Sequence, residues 1–361
     1  MSVIDLPPNA TLQYLAEGAA NIVYKIDIPP PSPSFNTSSE ININERSSEI
    51  GTPPPSEITP LYYDPKLDRG LLRLRKALPS TVPVEQSHAR FHDVFRELFE
   101  ESDLVNHDLV RLPKGLIQKC NSRLRLYEER GLRPQKRRGL YLQEYEQYGM
   151  LVSDMTPRKD RGEVLVEFKP KWLAQSPSAP STALRCRTCA LRAKRNAARR
   201  AKNEPEERSF CSLDLTSRDQ ETIARAVSYV IPKDLGNVHT ADKLRQRLLA
   251  FFKKSTLLQR LKELQEDLDK RGVLQEDPTS EKFLIAMTIR DCTLFLKVSA
   301  DDEIPIEARI GDLDLKSPDQ GKADYWRSLE RALIEQGWYD ASENDPRSDK
   351  SPCPGLLLTK P

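Results

Sequence analysis

The chain has 361 residues, a formal charge of +2 at pH 7 and six cysteines. That length suits two domains, or one large two-lobed fold with a substantial core, and excludes a small disulfide scaffold. It has no apolar run of the roughly eighteen residues needed to cross a membrane, and "MSVIDLPPNATLQYL" has neither a basic leader nor a long apolar segment. A soluble intracellular protein with no membrane partner is expected, its scattered cysteines being reduced structural thiols.

In chain order, "ATLQYLAEGAANIVYKIDI" reads as two strands joined by a Glu-Gly-Ala-Ala-Asn turn. The Pro- and Ser-rich stretch 29–59 lacks any period and is expected to be a mobile insertion. "GLLRLRKAL" is a third strand, with Leu72 and Leu74 opposing Arg73 and Arg75. From Ser87, Phe91, Val94, Phe95 and Leu98 fall on one helical face, expected to pack on the sheet of these three strands. "GLYLQEYEQYGMLVSDMT" and "GEVLVEFKPKW" give further strands. In the second of these, period-two alternation puts Glu167, Lys169 and Lys171 on one face, and Pro170 cannot donate to a ladder.

Downstream, Ser217 and Gln220 form a capping box for "SRDQETIARAVSYV", and "TADKLRQRLLAFFKK" and "TLLQRLKELQEDLDKR" are periodic helices. "KFLIAMTIRDCTLFLKVS" reads as two apolar strands broken around Arg290 and Asp291, "EARIGDLDLKS" as a short strand, and "ADYWRSLERALIEQGWYD" as a closing helix. The pattern predicts an α+β, two-lobed kinase-like fold: a sheet-rich N-lobe over 1–156 and a larger mixed, helix-rich C-lobe over 157–361.

Several groups carry possible chemistry. The small residues Gly18, Ala19 and Ala20 would let backbone N–H groups approach phosphate oxygens, although the same turn reads as a tight hairpin. Likewise "LLRLRK" is either a solvated strand face or a route for Arg73 or Lys76 to nucleotide phosphates. A carboxylate at Asp291, between two apolar runs, must be paired, solvent-facing or functional; a turn capped by Arg290 is one alternative. Asp312 and Asp314, on the same face of a strand, suit magnesium, which takes one or two carboxylates and completes its shell with phosphate and water, an exposed acidic turn being the alternative. The run Arg185–Lys202 holds eight basic residues and no acid. Its distal end reads as a solvated helix face, while Arg185 and Arg187 could meet a polyanion. Cys186 and Cys189 form a CxxC with no second pair at zinc-site spacing, so no structural zinc is expected.

Taken in order, "EGAANIVY", "LLRLRK", "VEFKPKW", "RCRTC", "CSLDLTS", "RDCTLFLKV" and "GDLDLK" resemble the inositol-pentakisphosphate 2-kinase family, whose E-[IV]-K-P-K element has Phe168 in its middle position here. The resemblance implies transfer of a phosphoryl group from ATP, with Mg2+, to the 2-hydroxyl of inositol 1,3,4,5,6-pentakisphosphate. It implies that Asp291 faces that hydroxyl, that Asp312 binds magnesium with Asp314 as a second candidate, and that Lys169 meets ATP phosphates and Lys171 inositide phosphates. Gly18, Ala19, Ala20, Asn21, Arg73, Asp154 and Glu167 are the nucleotide-side candidates. Lys316 and Lys322 are the inositide-side candidates, with Arg185, Arg187, Asn237 and His239. Trp326 stands where a substrate-contacting tyrosine is expected, and indole lacks a phenol's donor-acceptor hydroxyl. The chain lacks the HRD, DFG and APE sequences of protein kinases and the P-x-x-x-D-x-K-x-G element of inositol-polyphosphate multikinases. The competing reading is a non-catalytic polyanion- or RNA-binding protein using residues 185–202. On the kinase reading nucleic acid is not expected as a partner, a monomer is, and the basic runs "RPQKRR" and "KRNAARRAK" leave nucleus and cytoplasm both open.

Overall fold

The computed structural model describes residues 3–29, 63–79, 82–235, 238–340 and 353–357. Apart from Pro29, the insertion expected over 29–59 lies outside them. The chain forms two compact units, Met1–Glu85 with His107–Asp154, and Gln86–Asn106 with Met155–Pro361. The elements in chain order are β1 (Ile4–Asp5), β2 (Thr11–Glu17), β3 (Asn21–Asp27), β4 (Gly70–Arg75), α1 (Val84–Arg90), β5 (His107–Arg111), α2 (Leu116–Glu129), β6 (Tyr148–Ser153) and β7 (Glu163–Phe168). They continue as α3 (Arg187–Arg200), α4 (Gln220–Val230), α5 (Val238–Lys254), α6 (Thr256–Leu268), α7 (Glu281–Ile289), β8 (Thr293–Ser299), β9 (Glu307–Gly311), α8 (Lys322–Glu335) and α9 (Pro354–Leu357).

The first unit is a six-stranded sheet in the order β1-β5-β6-β4-β3-β2, with only the β1–β5 pair parallel. Leu116, Ile117, Cys120 and Leu124, at helical spacing on α2, share one core with Ile22, Tyr24, Leu72 and Leu74 of the sheet. β6 pairs antiparallel with β4, and Gly149 leaves room for β4 side chains: a Cβ there would come within 2.8 Å of Leu72 and 2.9 Å of Leu74 side-chain carbons. The alternation expected for β4 is present, but its polar face is not solvated. Arg73 and Arg75 are buried, Arg73 donating to Met150 Sδ at 3.0 Å and Arg75 to the Val82 carbonyl at 2.9 Å.

The second unit holds an antiparallel sheet, β7-β8-β9, surrounded by helices. The stripe Phe91, Val94, Phe95 and Leu98 packs here, in one core with Val166, Leu257, Leu294 and Ile310, and not on the N-terminal sheet. Periodicity identifies an apolar face but not what covers it. Backbone hydrogen bonding from Val105 N to Ile310 O at 2.8 Å ties the same segment to β9.

Two further expectations are corrected. Residues 281–289 form helix α7 rather than a strand, because its seven-residue run Phe283–Ile289, buried throughout, carries no period to separate the two. The cap of α4 is Asp219, whose carboxylate accepts from Thr222 N at 2.8 Å, while Ser217 Oγ accepts from Asp219 N at 3.1 Å. No helix among the described residues is long and apolar enough to cross a membrane.

Candidate functional site

Strand register brings the charged segments of the second unit to one end of its sheet. Phe168, the last residue of β7, pairs with Leu294 near the start of β8. Thr293, the first of β8, pairs with Gly311, the last of β9. The residues just past β7, just before β8 and just past β9 are therefore neighbours: Lys169 and Lys171, Asp291, and Asp312.

Three ammonium groups converge on Asp291. Lys171 Nζ lies 2.8 Å from Oδ1 and Lys316 Nζ 2.7 Å from Oδ2. Lys169 Nζ donates to the Asp291 backbone carbonyl at 2.5 Å and stands 3.7 Å from Oδ1 and 3.5 Å from Asp312 Oδ2. Burial alone would raise the Asp291 carboxyl, but hydrogen bonds from Lys171 and Lys316, with their charges, hold it well below the usual carboxylate range. Arg290 does not cap Asp291, as the alternative reading had it. It is buried, paired with Asp269 at 2.5 Å, its guanidinium 3.6 Å from the centre of the Trp172 ring.

The alternation expected to align Glu167, Lys169 and Lys171 stops at Phe168, where the strand ends. Lys171 has φ +62° and Asp312 φ +57°, so two of the charged residues sit in the left-handed region that favours glycine. Such positions persist only when their surroundings hold them. For Lys171 the holder is Gln265 of α6, which donates from Nε2 to the Lys171 carbonyl at 2.9 Å and accepts from Leu173 N at 2.9 Å. No sequence signal marks Gln265, a polar residue on a periodic helix. Asp312 and Asp314 do not share a strand face, because β9 ends at Gly311. Asp312 accepts from Thr293 Oγ1 at 2.5 Å, and Asp314 from Ser87 Oγ at 3.0 Å. Desolvation, then the Asp312 charge, raise the Glu167 carboxyl, with Lys169 opposing. Two neighbouring acids, one of them half exposed at Asp312, fit a hard divalent cation.

Beside Asp291 lies a cavity of about 490 Å³ within the second unit, lined by seven cationic side chains and two carboxylates. Lys169, Lys171 and Lys316 line it, with Arg187, Arg192 and Arg195 from α3. Their spacing with Leu191 is one helical face, a signal present in the sequence but read there as solvated at its distal end. Arg187 is already held by buried Glu330 at 2.6 Å and lies 4.3 Å from the centre of the Trp172 ring. Trp326 lines the cavity and packs edge-on against Phe283. Arg185, Lys322 and His239 are not among the lining residues; Arg185 donates to the Trp338 carbonyl at 3.4 Å, and His239 is exposed on α5. Asn237 lies outside the described residues.

In the first unit, Gly18–Asn21 form the turn between β2 and β3, closed by a Gly18 N to Asn21 O bond of 2.9 Å. Gly18, Ala19 and Ala20 are exposed there. Lys76 binds the turn from below, Nζ to Gly18 O at 2.8 Å and N to Ala20 O at 2.9 Å. The same ammonium pairs with Glu17 at 2.5 Å, and Arg133 pairs with Glu17 at 2.7 Å and with Glu128. The Glu17, Lys76 and Arg133 side chains are 2%, 0% and 1% exposed. Lys76 is thus spent on holding the turn. Sequence reading missed Glu17 and Arg133, the latter in an aperiodic loop. Asp154 follows β6 directly and is half-buried.

Comparison with known proteins agrees with this chemistry. A protein from Yarrowia lipolytica named inositol-pentakisphosphate 2-kinase is 34% identical over 214 residues, covering 54% of this chain and 66% of that protein. The matched part is thus just under two thirds of the relative's length. The family model described as inositol-pentakisphosphate 2-kinase matches residues 14–332, which takes in the small-residue turn, the lysine pair, Asp291 and Asp312. With most of its length matched in this way, the chain belongs to the inositol-pentakisphosphate 2-kinase family.

Proposed function

We propose that this protein transfers the terminal phosphoryl group of ATP to the 2-hydroxyl of inositol 1,3,4,5,6-pentakisphosphate, giving ADP and inositol hexakisphosphate. The observation that carries this reading is the carboxylate of Asp291 set among Lys169, Lys171 and Lys316 at the edge of a cation-lined cavity. A site that only held polyanions would gain nothing from a carboxylate there. Phosphoryl transfer needs one to face the attacking hydroxyl, together with cations to neutralise the moving group.

In this reading Lys171 and Lys316 take inositide phosphates, and Lys169, which touches both carboxylate segments, serves the transferring group. Asp312, with Glu167 nearby, would hold the magnesium ion, which supplies charge neutralisation at the phosphates. The exposed backbone of Gly18–Asn21 serves the nucleotide, its shape set by Lys76.

The test is incubation of the pure protein with ATP, magnesium and the pentakisphosphate, followed by chromatographic resolution of the inositol phosphates. Hexakisphosphate is the expected product; its absence from folded protein would refute the assignment. The lysine roles are separable. Lys171→Ala and Lys316→Ala each remove a charge-assisted hydrogen bond, so each should raise the inositide KM by about ten- to a hundredfold. The KM for ATP should move much less. Steady-state kinetics with each substrate varied in turn would contradict this division if the ATP constant alone rose.

A further inference from the structure

Lys171 carries its ammonium group on a backbone conformation that disfavours any side chain. Glycine would adopt its φ of +62° freely, but glycine would bring no charge to Asp291. A lysine stays in that region only where its surroundings over-determine it. Three buried side chains of the second unit do so: Gln265 on α6, Asp269 just past the end of α6, and Arg290 just past α7.

Each residue of the segment 171–173 is gripped by this set. Gln265 Nε2 donates to the Lys171 carbonyl at 2.9 Å and Gln265 Oε1 accepts from Leu173 N at 2.9 Å, so one amide brackets the segment from both sides. Between those two bonds the Trp172 ring lies against the Arg290 guanidinium, 3.6 Å from the ring centre. Arg290 is fixed in turn, Nη1 donating to Asp269 Oδ2 at 2.5 Å and Nη2 to the Gln265 carbonyl at 3.2 Å. Asp269 supplies the anion without which a buried guanidinium would be costly, and its Oδ1 accepts from Gly272 N at 2.8 Å. The Arg290 backbone then runs directly into Asp291, whose carboxylate Lys171 meets at 2.8 Å. Both members of that ion pair are thus anchored through the same buried brace.

We propose that Gln265, braced by Arg290 and Asp269, is a positioning residue that sets where the Lys171 ammonium stands relative to Asp291 and so to the inositide. The inference rests on the reading that Lys171 meets an inositide phosphate. A glutamine that served packing alone could bond any nearby backbone group. This one directs its donor and its acceptor to the two flanks of Trp172, next to the residue in the left-handed region. Without those bonds Lys171 relaxes toward negative φ, which swings its Cα–Cβ bond and displaces the ammonium at the end of its four-carbon stem.

Gln265→Met keeps the length of the side chain and removes both hydrogen bonds. It should weaken calorimetric binding of the pentakisphosphate by about three- to tenfold, part of what loss of the lysine itself would do. In a Lys171→Ala background the same substitution should cost less than about twofold, because the group it positions is gone. An equal loss in both backgrounds marks a packing role and overturns the proposal, as does undiminished binding by Gln265→Met. If Gln265→Met does not fold, the melting temperatures of Lys171→Gly and Lys171→Ala decide. Glycine relieves the φ of +62° and should melt several degrees higher; equal melting would leave no strained conformation for Gln265 to hold and would overturn the proposal. Neither readout uses turnover, so protein that binds the pentakisphosphate and forms no hexakisphosphate refutes the kinase reading and not this one.

Discussion

Asp291→Asn should lower kcat for hexakisphosphate formation by about a hundred- to ten-thousandfold, the range for a positioned proton acceptor. Affinity for the pentakisphosphate should stay the same or tighten. Without substrate, Asp291 occupies Lys171 and Lys316, and a polyanion must compete for those ammonium groups. Removing the carboxylate's charge frees them, so binding and turnover should move in opposite directions. A merely structural Asp291 would weaken both. Calorimetric binding beside single-turnover kinetics separates the cases, and a variant keeping more than about a tenth of wild-type kcat would take Asp291 out of the chemistry.

The same competition sets a pH signature. In the free protein Asp291 is held far below the usual carboxylate range by Lys171 and Lys316 acting against its burial, too low for an efficient proton acceptor near neutrality. Recruiting those lysines to substrate phosphates removes what depresses it, so its proton affinity rises in the complex. The acid limb of kcat, which reports the complex, should therefore lie at higher pH than any Asp291 limb of kcat/KM, which reports the free enzyme. Activity falls as pH drops through the bound-state value, because a protonated carboxyl cannot accept the hydroxyl proton. Coincident acid limbs in the two profiles would contradict the exchange of partners.

Glu17→Ala should destabilise the first unit by about 3–5 kcal/mol, the usual cost of stripping one partner from a buried ion network. Lys76 and Arg133, both almost wholly buried, would be left facing each other without their shared anion. A fall in melting temperature on the order of 10 °C is expected by calorimetry. Adding Lys76→Met should recover part of the loss, since it removes one uncompensated charge. Burial alone would raise the Glu17 carboxyl, but hydrogen bonds and charges from Arg133 and Lys76 hold it below its ordinary range. The stabilisation is thus complete above the unfolded carboxylate range and is lost as pH falls through the lowered native value. A loss in Glu17→Ala comparable to that of an exposed ion pair, about 1 kcal/mol or less, would count against the network.

Much of the first unit was legible because its strands alternate. Leu72 and Leu74 point into the core as their spacing requires, and the turn at Gly18–Asn21 falls where small residues interrupt two strands. α7 was not legible, since an unbroken apolar run such as "FLIAMTI" satisfies a strand and a buried helix alike. The partner of the stripe of Phe91, Val94, Phe95 and Leu98 was equally hidden, because a face says nothing of its cover. At "FKPKW" the outcome was mixed. Lys169 and Lys171 do meet the Asp291 carboxylate, but through a residue at φ +62° held by Gln265, not through continued alternation.

The sequence by itself determined the chemistry available and its order: a small-residue turn, a lysine pair interrupted by Pro170, an isolated Asp291 and the acidic GDLDLK segment. Those features depend on residue type and local spacing, which are written in the chain. Only the tertiary structure decided which of these groups act together. Register places the ends of β7, β8 and β9 side by side, so that three lysines close on one carboxylate. Packing sinks Lys76 beneath its turn and gathers four cysteines from three segments around one point. Contacts between residues so far apart come from long-range pairing and burial, and no local period encodes them.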